Sequence, residues 1–192
     1  MGRSRRPGSE LFRPSRAEVA AAHGRTIPDV VGPGLRLLFV GINPGLYSGA
    51  TGHHFARPGN RFWKALHGAG FTDHVYSPFD DRELLRLGIG ITNLVARTTA
   101  SADELTPEEL RDGGAKLERK VRRSKPEVVA FVGVTAYRIA FGRPRARIGP
   151  QEETLGGARL WVLPNPSGRT ATYQAPQMVE LFGRLRASID QR

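Results

Sequence analysis

Short apolar runs that end at glycines or polar turns alternate along the chain with segments of helical periodicity. Four runs have the length of buried strands, at residues 35–40, 89–94, 128–132 and 160–163. Helical patterns occur at about 60–68, 80–86, 106–124, 134–141 and 175–189. Strands that alternate with helices are usually parallel and joined by right-handed crossovers. The pattern therefore predicts an α/β protein, a three-layer α/β/α sandwich with a central, mainly parallel sheet of about four strands.

The first residues have a composition that does not suit a packed core. Residues 1–16 contain five arginines, one acidic residue and several glycine, serine and proline residues. Such a segment favours a solvated, flexible chain. We therefore predict a basic, flexible arm over residues 1–24, which either holds a polyanion or has no role. Residues 25–192 are then a single domain.

The overall charge favours a polyanionic partner. The 192 residues include 29 Lys and Arg against 18 Asp and Glu, which gives a formal net charge of +11. Excess positive charge attracts nucleic acid through steering and counterion release. An arginine-rich composition can also produce a basic surface that binds nothing, so both interpretations stay open at this point.

The absence of some features excludes several classes of protein. No cysteine is present, so disulfides, thiolate nucleophiles and cysteine-bound metals are excluded. No apolar run approaches the roughly 20 residues of a membrane span, and the N-terminus lacks the apolar core of a signal peptide. We expect a cytoplasmic protein, of the bacterial cytoplasm or nucleoid, that has no membrane partner.

Two loops stand at the carboxyl ends of predicted strands, where open parallel sheets bind their ligands. The first reads GINPG at 41–45, and the second reads PNPSG at 164–168. Each presents an asparagine on a stiff, tightly turned backbone whose N–H groups could face a phosphate or a base edge. Each sequence could also simply form a turn. Their placement at one edge of the sheet favours a binding site.

The familiar motifs of other enzymes are missing from this edge. No GK[ST] sequence follows the first loop, and no GxGxxG or GxSxG sequence occurs. His53 and His54 are adjacent, which suits a turn or a DNA-facing loop better than a shared metal ion. The acidic pairs at 80–81 and 108–109 open predicted helices, where capping explains them. The candidate site thus contains carboxamides, aromatic rings and backbone amides, with no metal, no cofactor and no strong base.

Several separated motifs in one order resemble a single enzyme family. They are GINPG at 41–45, GHHF at 52–55, PGNRFWK at 58–64, ITNLV at 91–95, RTT at 97–99, GG at 113–114 and NPSG at 165–168. Together they resemble the mismatch-specific uracil-DNA glycosylases, of the thymine-DNA glycosylase family within the uracil-DNA glycosylase superfamily. The resemblance extends from about residue 27 to the C-terminus. It implies a monofunctional enzyme that flips a base out of duplex DNA and hydrolyses the N-glycosidic bond.

The resemblance gives one residue the catalytic role. Asn43 would position the attacking water beneath C1′ of the sugar. A neutral amide cannot take up a full proton, so the enzyme would be slow. It would depend on uracil leaving as an anion that hydrogen bonds stabilise. The supporting loop would consist of Gly41, Pro44, Gly45 and Asn60.

Four further residues would bind the flipped base. Phe55 would stack on it, since an aromatic face contributes about 1–3 kcal/mol with little sequence preference. Ile42 and the backbone near Phe55 would read the base edge, and Ser48 would line the pocket. Asn93 stands where some bacterial relatives have a lysine, and there this chain resembles the thymine-type enzymes. Its carboxamide would offer a donor and an acceptor to the O4/N3 edge, or would instead tie two strand ends together.

The second loop would enter the duplex and fill the space that the flipped base leaves. In the resemblance this wedge consists of Ser167, Gly168 and the residues after them, which contact the widowed base. Arg169 takes the plug position, where some relatives have an aliphatic side chain, and it could instead bind a phosphate. Asn165 would support the water or a flanking phosphate.

These expectations together predict a glycosylase of base-excision repair. Its substrate would be uracil in G·U mismatches, with thymine in G·T pairs and other modified pyrimidines as an extension. The partner would be double-stranded DNA that contains uracil or a mismatched pyrimidine, and the chain would act as a monomer. The alternative is a non-catalytic nucleic-acid-binding protein on the same fold. A nucleotide hydrolase is disfavoured, because the phosphate-loop lysine and metal-binding carboxylates are missing.

Overall fold

A computed structural model describes residues 12–167 and 172–190, and in them one five-stranded sheet forms the centre of the molecule. The strands are β1 (Leu37–Gly41), β2 (Ile89–Asn93), β3 (Val128–Val132), β4 (Gly149–Leu155) and β5 (Ala158–Leu163). Their order across the sheet is β2-β1-β3-β5-β4. All neighbours pair in parallel except β4, which pairs antiparallel with β5 at the edge. The predicted α/β/α sandwich with a mainly parallel sheet is confirmed, and β4 is an additional strand.

Helices cover both faces of this sheet. They are α1 (Arg16–Ala20), α2 (Leu46–Thr51), α3 (Phe62–Gly68), α4 (Pro107–Ser124), α5 (Val134–Ala140) and α6 (Ala175–Asp190). Two 3-10 helices occupy Pro78–Leu87 and Ala102–Glu104. Helix α3 packs with α6 on one face, and α4 packs with α5 on the other. Strands β1, β2 and β3 are almost wholly buried, as expected where helices cover both faces.

An aromatic cluster joins the sheet to the layer of α3 and α6. Phe39 of β1 meets Phe62 edge to face, with ring centroids 5.1 Å apart. The same ring stacks on Phe182 of α6 at 5.7 Å. All three side chains are fully buried, and such pairs stabilise a core beyond the apolar area they bury. This cluster fixes the start of α3, which is separated from the first candidate loop by α2 and residues 52–61.

The sequence pattern did not predict strand β4, and its position in the sheet explains why. It lies at the sheet edge, and its residues alternate between exposed and half-buried positions until Leu155. A strand of this kind contains polar residues, such as Gln151 and Glu152, instead of an apolar run. It turns into β5 through Gly156 and Gly157, both with positive φ angles that favour glycine.

The N-terminal part of the chain also differs from the prediction. Within the segment predicted to be a flexible arm, residues Arg16–Ala20 form a helix that begins at a capping box. Ser15 Oγ accepts a hydrogen bond from the Glu18 N–H, and Glu18 accepts one from the Ser15 N–H. Ala22 is completely buried, so the folded part starts before residue 25. The prediction of a basic arm remains for residues 1–11, which lie outside the described residues.

Among residues 12–167 and 172–190, no helix combines the length and the apolar character that crossing a bilayer needs.

Two helical glycines should respond oppositely to replacement by alanine. A Cβ at Gly113 of α4 would lie 2.5 Å from the Leu94 carbonyl oxygen, whereas a Cβ at Gly183 of α6 would meet nothing within 4 Å. We expect Gly113→Ala to lower the free energy of unfolding by about 1–3 kcal/mol, because backbone must move. Gly183→Ala should raise it by about 0.5–1 kcal/mol through helix propensity. Urea unfolding of both variants measures this, and equal effects would contradict the close packing of α4 on Leu94.

Candidate functional site

A cleft of about 950 Å³ opens at the edge where β1, β2, β3 and β5 end. Its lining includes ten of the residues singled out from the sequence: Ile42, Asn43, Pro44, Gly45, Ser48, Phe55, Asn60, Asn93, Asn165 and Ser167. Gly41 is buried at the end of β1, next to this lining. Gly168 and Arg169 lie outside the described residues. The fold thus gathers four separated segments at one site.

The orientation of the Asn43 carboxamide is determined by its neighbours. Its Nδ2 lies 3.0 Å from the Arg97 carbonyl oxygen and 3.3 Å from that of Pro44. Carbonyl oxygens only accept hydrogen bonds, so the amide nitrogen must face them. A third bond runs from Nδ2 to Thr99 Oγ1 at 2.8 Å. No described residue donates to Oδ1, so this oxygen is an available acceptor at the cleft.

The residues that hold Asn43 are themselves fixed. Thr99 Oγ1 donates to the Ser101 carbonyl at 2.7 Å, which leaves its lone pair for the amide of Asn43. The Arg97 guanidinium forms a bidentate ion pair with Glu109, with Nε 2.6 Å from Oε1 and Nη2 2.9 Å from Oε2. The hydrogen bonds from Arg97 are the main cause that lowers the pKa of Glu109 to about 2, and a hydrogen bond from the Thr106 N–H is the second cause. The segment after β2 is thereby tied to the start of α4.

Phe55 forms an aromatic surface beside Asn43. Its ring stacks on Phe62 with centroids 4.0 Å apart and an interplanar angle of 19°. Because Phe62 occupies one face of the half-buried ring, the other face can receive a planar ligand. Phe55 has a φ angle of 52°, which is unusual for a bulky residue. Ser48 Oγ accepts a hydrogen bond from the Ala56 N–H at 3.2 Å and so helps to hold this conformation.

Asn93 lies opposite, at the end of β2, and contacts a buried histidine. Its Nδ2 lies 3.3 Å from His54 Nδ1, and His54 Nε2 lies 3.0 Å from the Pro28 carbonyl oxygen. Burial of the ring lowers the pKa of His54, which favours the neutral form. Asn93 Oδ1 approaches Gly41, where a Cβ would be only 2.5 Å away. Glycine at position 41 therefore leaves the space that the Asn93 oxygen occupies.

The second loop is connected to the first through Arg61. The Arg61 N–H donates to the Pro166 carbonyl at 3.0 Å, and its guanidinium donates to the carbonyls of Ser167 and Tyr173. Asn165 Oδ1 accepts a bond from the Ser167 N–H at 2.9 Å, an Asx turn that uses one side of the carboxamide. Asn60 Oδ1 accepts from the Phe62 N–H at 2.9 Å, which forms an Asx turn immediately before α3.

Several residues with a part in this geometry received no role from the sequence. Thr99, Arg97 and Arg61 position other groups through contacts between distant segments. Their only signal was membership in the quoted motifs at 58–64 and 97–99. His54, which was expected in a turn or a DNA-facing loop, lies in a turn but is buried and contacts Asn93. No three His, Asp or Glu side chains come together as a metal site in the part of the chain that the structure describes.

The ion pair of Arg97 with Glu109 should make stability depend on acid pH. The folded-state pKa of Glu109 is about 2, below the usual 4.5. Its stabilising effect is therefore complete above pH 4.5 and is lost as the pH falls towards 2. We expect the free energy of unfolding of the Glu109→Gln variant to fall less steeply between pH 6 and pH 2 than that of the native protein. Urea unfolding at each pH measures this difference.

Glu118→Gln is the control for this experiment, since it removes another ion-paired carboxylate from the same helix. A slope for Glu109→Gln as steep as that of the native protein would show that the Arg97 contact contributes nothing.

Comparisons with known proteins agree with this architecture. A solution NMR structure of "a putative Uracil DNA glycosylase from Methanosarcina acetivorans" superposes with a TM-score of 0.55. The two sequences are 20% identical, and the match covers 85% of this chain and 98% of that one, which shows a shared fold. In addition, residues 28–186 match the family described as the uracil DNA glycosylase superfamily. This match includes most of the chain, and it contains the loops after β1, β2 and β5 that line the cleft. The protein therefore belongs to the uracil DNA glycosylase superfamily.

Proposed function

We propose that this protein is a monofunctional DNA glycosylase of the mismatch-specific, thymine-DNA glycosylase type. It removes uracil from G·U pairs and leaves an abasic site, with thymine in G·T pairs and other modified pyrimidines as further substrates. The observation that carries this proposal is the arrangement of Asn43. Three acceptors hold its amide nitrogen, and its oxygen is available to a water molecule in a cleft with an aromatic wall.

The chemistry of such a site is hydrolysis with a weak base. Asn43 Oδ1 accepts a hydrogen bond from water and directs the oxygen towards C1′ of the flipped nucleotide. The N1–C1′ bond breaks, and the base leaves with the bonding electron pair. Water then adds its oxygen to C1′ and releases a proton to solvent. Since an amide cannot take that proton, the rate depends on stabilising the departing base and the cationic sugar.

Phe55 and Asn93 supply the contacts that hold the base. The face of Phe55 that is turned away from Phe62 offers stacking of about 1–3 kcal/mol. Stacking on Phe62 holds the Phe55 ring in place when the base enters. Asn93 then faces the edge of the stacked base from the neighbouring strand. Ile42 and Ser48 complete the pocket, and Ser48 still has a hydroxyl proton to donate after accepting from Ala56.

The basic charge near this edge suits a DNA duplex. Gly149 at the start of β4 pairs with Val162 near the end of β5, so the loop before β4 lies at the same edge as the cleft. The Arg138 guanidinium holds this loop through two bonds to the Ala146 carbonyl, at 2.9 and 2.7 Å. Arg145 and Arg147 are exposed there. Three strand spacings separate β4 from β1, roughly 14 Å, which corresponds to about four base pairs of duplex.

The second loop supplies the wedge of the proposed enzyme. Gly168 and Arg169 would enter the duplex between the stems that Arg61 holds at Ser167 and Tyr173. We further propose that the protein acts as a monomer in the cytoplasm, without a cofactor.

The proposal is tested with duplexes that contain one G·U, A·U, G·T or A·T pair, and with single-stranded uracil DNA, followed by alkaline cleavage. Cleavage at G·U alone indicates a strict mismatch enzyme. Cleavage at A·U and in single strands as well indicates that recognition of the base dominates over recognition of its partner. Salt-sensitive binding with every strand intact would instead identify a non-catalytic nucleic-acid-binding protein.

Replacing Asn43 should separate catalysis from binding. We expect Asn43→Ala to abolish release of uracil and to retain most of the affinity for DNA, because the side chain contacts the protein groups that orient it and in the proposed mechanism acts on the water and not on the DNA. Thr99→Val should lower the single-turnover rate roughly tenfold, since one hydrogen bond that orients the amide is lost. Single-turnover kinetics and binding to an abasic-site analogue measure both effects. Full activity of Asn43→Ala would contradict the proposed role.

The loop before β4 should contribute to affinity through phosphates. We expect the double variant Arg145→Gln/Arg147→Gln to reduce the slope of log K against log salt by about 2. The single-turnover rate at saturating enzyme should not change. The matched control is Arg119→Gln/Arg123→Gln, which removes two exposed charges from α4 near its end at the opposite sheet edge. An equal reduction in both variants would indicate that only the net charge matters.

A further inference from the structure

The two nitrogens of the His54 ring have different hydrogen-bonding roles. Nε2 lies 3.0 Å from the Pro28 carbonyl oxygen. That oxygen can only accept, so Nε2 must carry the proton. In the neutral ring Nδ1 is then an acceptor, and it lies 3.3 Å from Asn93 Nδ2. The hydrogen bond therefore runs from the Asn93 amide group to His54, and Asn93 Oδ1 is the group that does not face the ring.

The environment of His54 maintains this neutral form. The residue is 2% exposed, and burial is the main cause that lowers the pKa of its imidazole. The charged and titratable groups that act on the ring are Asp81, Asp29 and His53. Asp81 accepts from the backbone N–H of His54 at 3.4 Å and contacts His53 Nδ1 at 3.2 Å. These contacts fix the backbone at His54 while the ring nitrogens contact Pro28 and Asn93.

The Pro28 carbonyl is also held in place, by contacts with the strand that carries Asn93. Val30 exchanges two backbone hydrogen bonds with Ile91 of β2, each 2.8 Å long. Asp29 accepts from Thr92 Oγ1 at 2.6 Å and pairs with Lys120 at 2.5 Å. Pro28, His54 and Asn93 therefore form a closed hydrogen-bonded arrangement anchored on one strand. Within it, a flip of the Asn93 amide would set its oxygen against the lone pair of His54 Nδ1.

We propose that His54 is a positioning residue that keeps the donor and acceptor of Asn93 in one order, so that the site accepts uracil and rejects cytosine. The inference rests on the proposed glycosylase function. It adds discrimination between uracil and cytosine, which the residues that contact Asn43 do not provide.

The selection follows from the pattern of donors and acceptors on each base. Along the edge that Asn93 would read, uracil presents the O4 acceptor beside the N3–H donor. Cytosine presents the N4 donor beside the N3 acceptor, which is the reverse order. The sugar and the Phe55 surface fix the base in the cleft, so an amide that cannot flip complements only one of the two orders. The wrong base leaves buried polar groups unpaired, which costs binding energy. Thymine has the same edge as uracil and passes this selection.

Binding of uncleavable nucleotides tests the proposal without relying on catalysis. The probes are duplexes with 2′-fluoro-2′-deoxyuridine or 2′-fluoro-2′-deoxycytidine, each opposite an abasic-site analogue so that neither base is paired. We expect the native protein to bind the uridine duplex more tightly. His54→Leu should reduce the ratio of the two dissociation constants about tenfold. His53→Leu, at the neighbouring histidine that faces Asp81 and Phe79, should leave the ratio unchanged.

A double-mutant cycle distinguishes positioning of Asn93 from a general structural effect. In an Asn93→Ala background, His54→Leu should no longer alter the ratio, because the group through which His54 acts is absent. An equal effect of His54→Leu with and without the Asn93 side chain would overturn the proposal. If His54→Leu does not fold, His54→Asn is measured in its place. Its side-chain oxygen can still accept from Asn93, so the ratio should stay close to the native value, and a tenfold loss in this variant would overturn the proposal.

A measurement on the native protein provides an independent test. The ¹⁵N chemical shifts of the His54 ring should show a proton on Nε2 and none on Nδ1. The opposite tautomer would overturn the proposal even if the enzyme excises uracil. Excision by the native protein without any preference for the uridine duplex would do the same, and both results would leave the glycosylase function intact. A native protein that shows the expected tautomer but excises nothing would instead refute the proposed function.

Discussion

Backbone pairing between the segments that follow β1 and β2 continues past the ends of both strands. Three backbone N–H groups donate to carbonyl oxygens of the first loop: Leu94 to Gly41 at 2.8 Å, Val95 to Ile42 at 2.9 Å, and Thr99 to Pro44 at 3.2 Å. This extension carries the Arg97 carbonyl and the Thr99 hydroxyl to the amide of Asn43. Without it, the first loop would be an ordinary turn with a solvated asparagine. The site therefore depends on a parallel ladder that does not stop where the regular strands stop.

The same physical device orients the two asparagines at the ends of β1 and β2. In each case the amide nitrogen is bound to a group that can only accept, which is a backbone carbonyl for Asn43 and the neutral His54 ring for Asn93. Each oxygen is left without a donor among the described residues. A neutral site of this kind suits the weak-base chemistry proposed for it, because it orients water and a base edge without a charged group.

Much of the fold could be predicted from the sequence because hydrophobic burial leaves a direct trace in it. Residues 128–132 were predicted as a strand and are β3, and the helix expected to end at about Ser124 is α4, which begins with a Thr106 cap. Segments with weaker traces were missed. Helix α2 contains glycine and small polar residues and was not among the predicted helices, α1 lies in a segment expected to be flexible, and β4 is a half-exposed edge strand. In these segments contacts with the rest of the fold outweigh local propensity.

The sequence by itself determined the fold class, the two asparagine loops at strand ends and the family to which the motifs belong. The fold class and the two loops follow from local patterns of apolar residues and turns, whereas the family was indicated by the resemblance of the separated motifs. Only the tertiary structure decided which side of each carboxamide faces the cleft and which residues hold it there. Arg97 lies 54 residues from Asn43, and His54 lies 39 residues from Asn93. The orientation of an amide depends on partners that only folding brings within 3.5 Å, so no local pattern in the sequence records it.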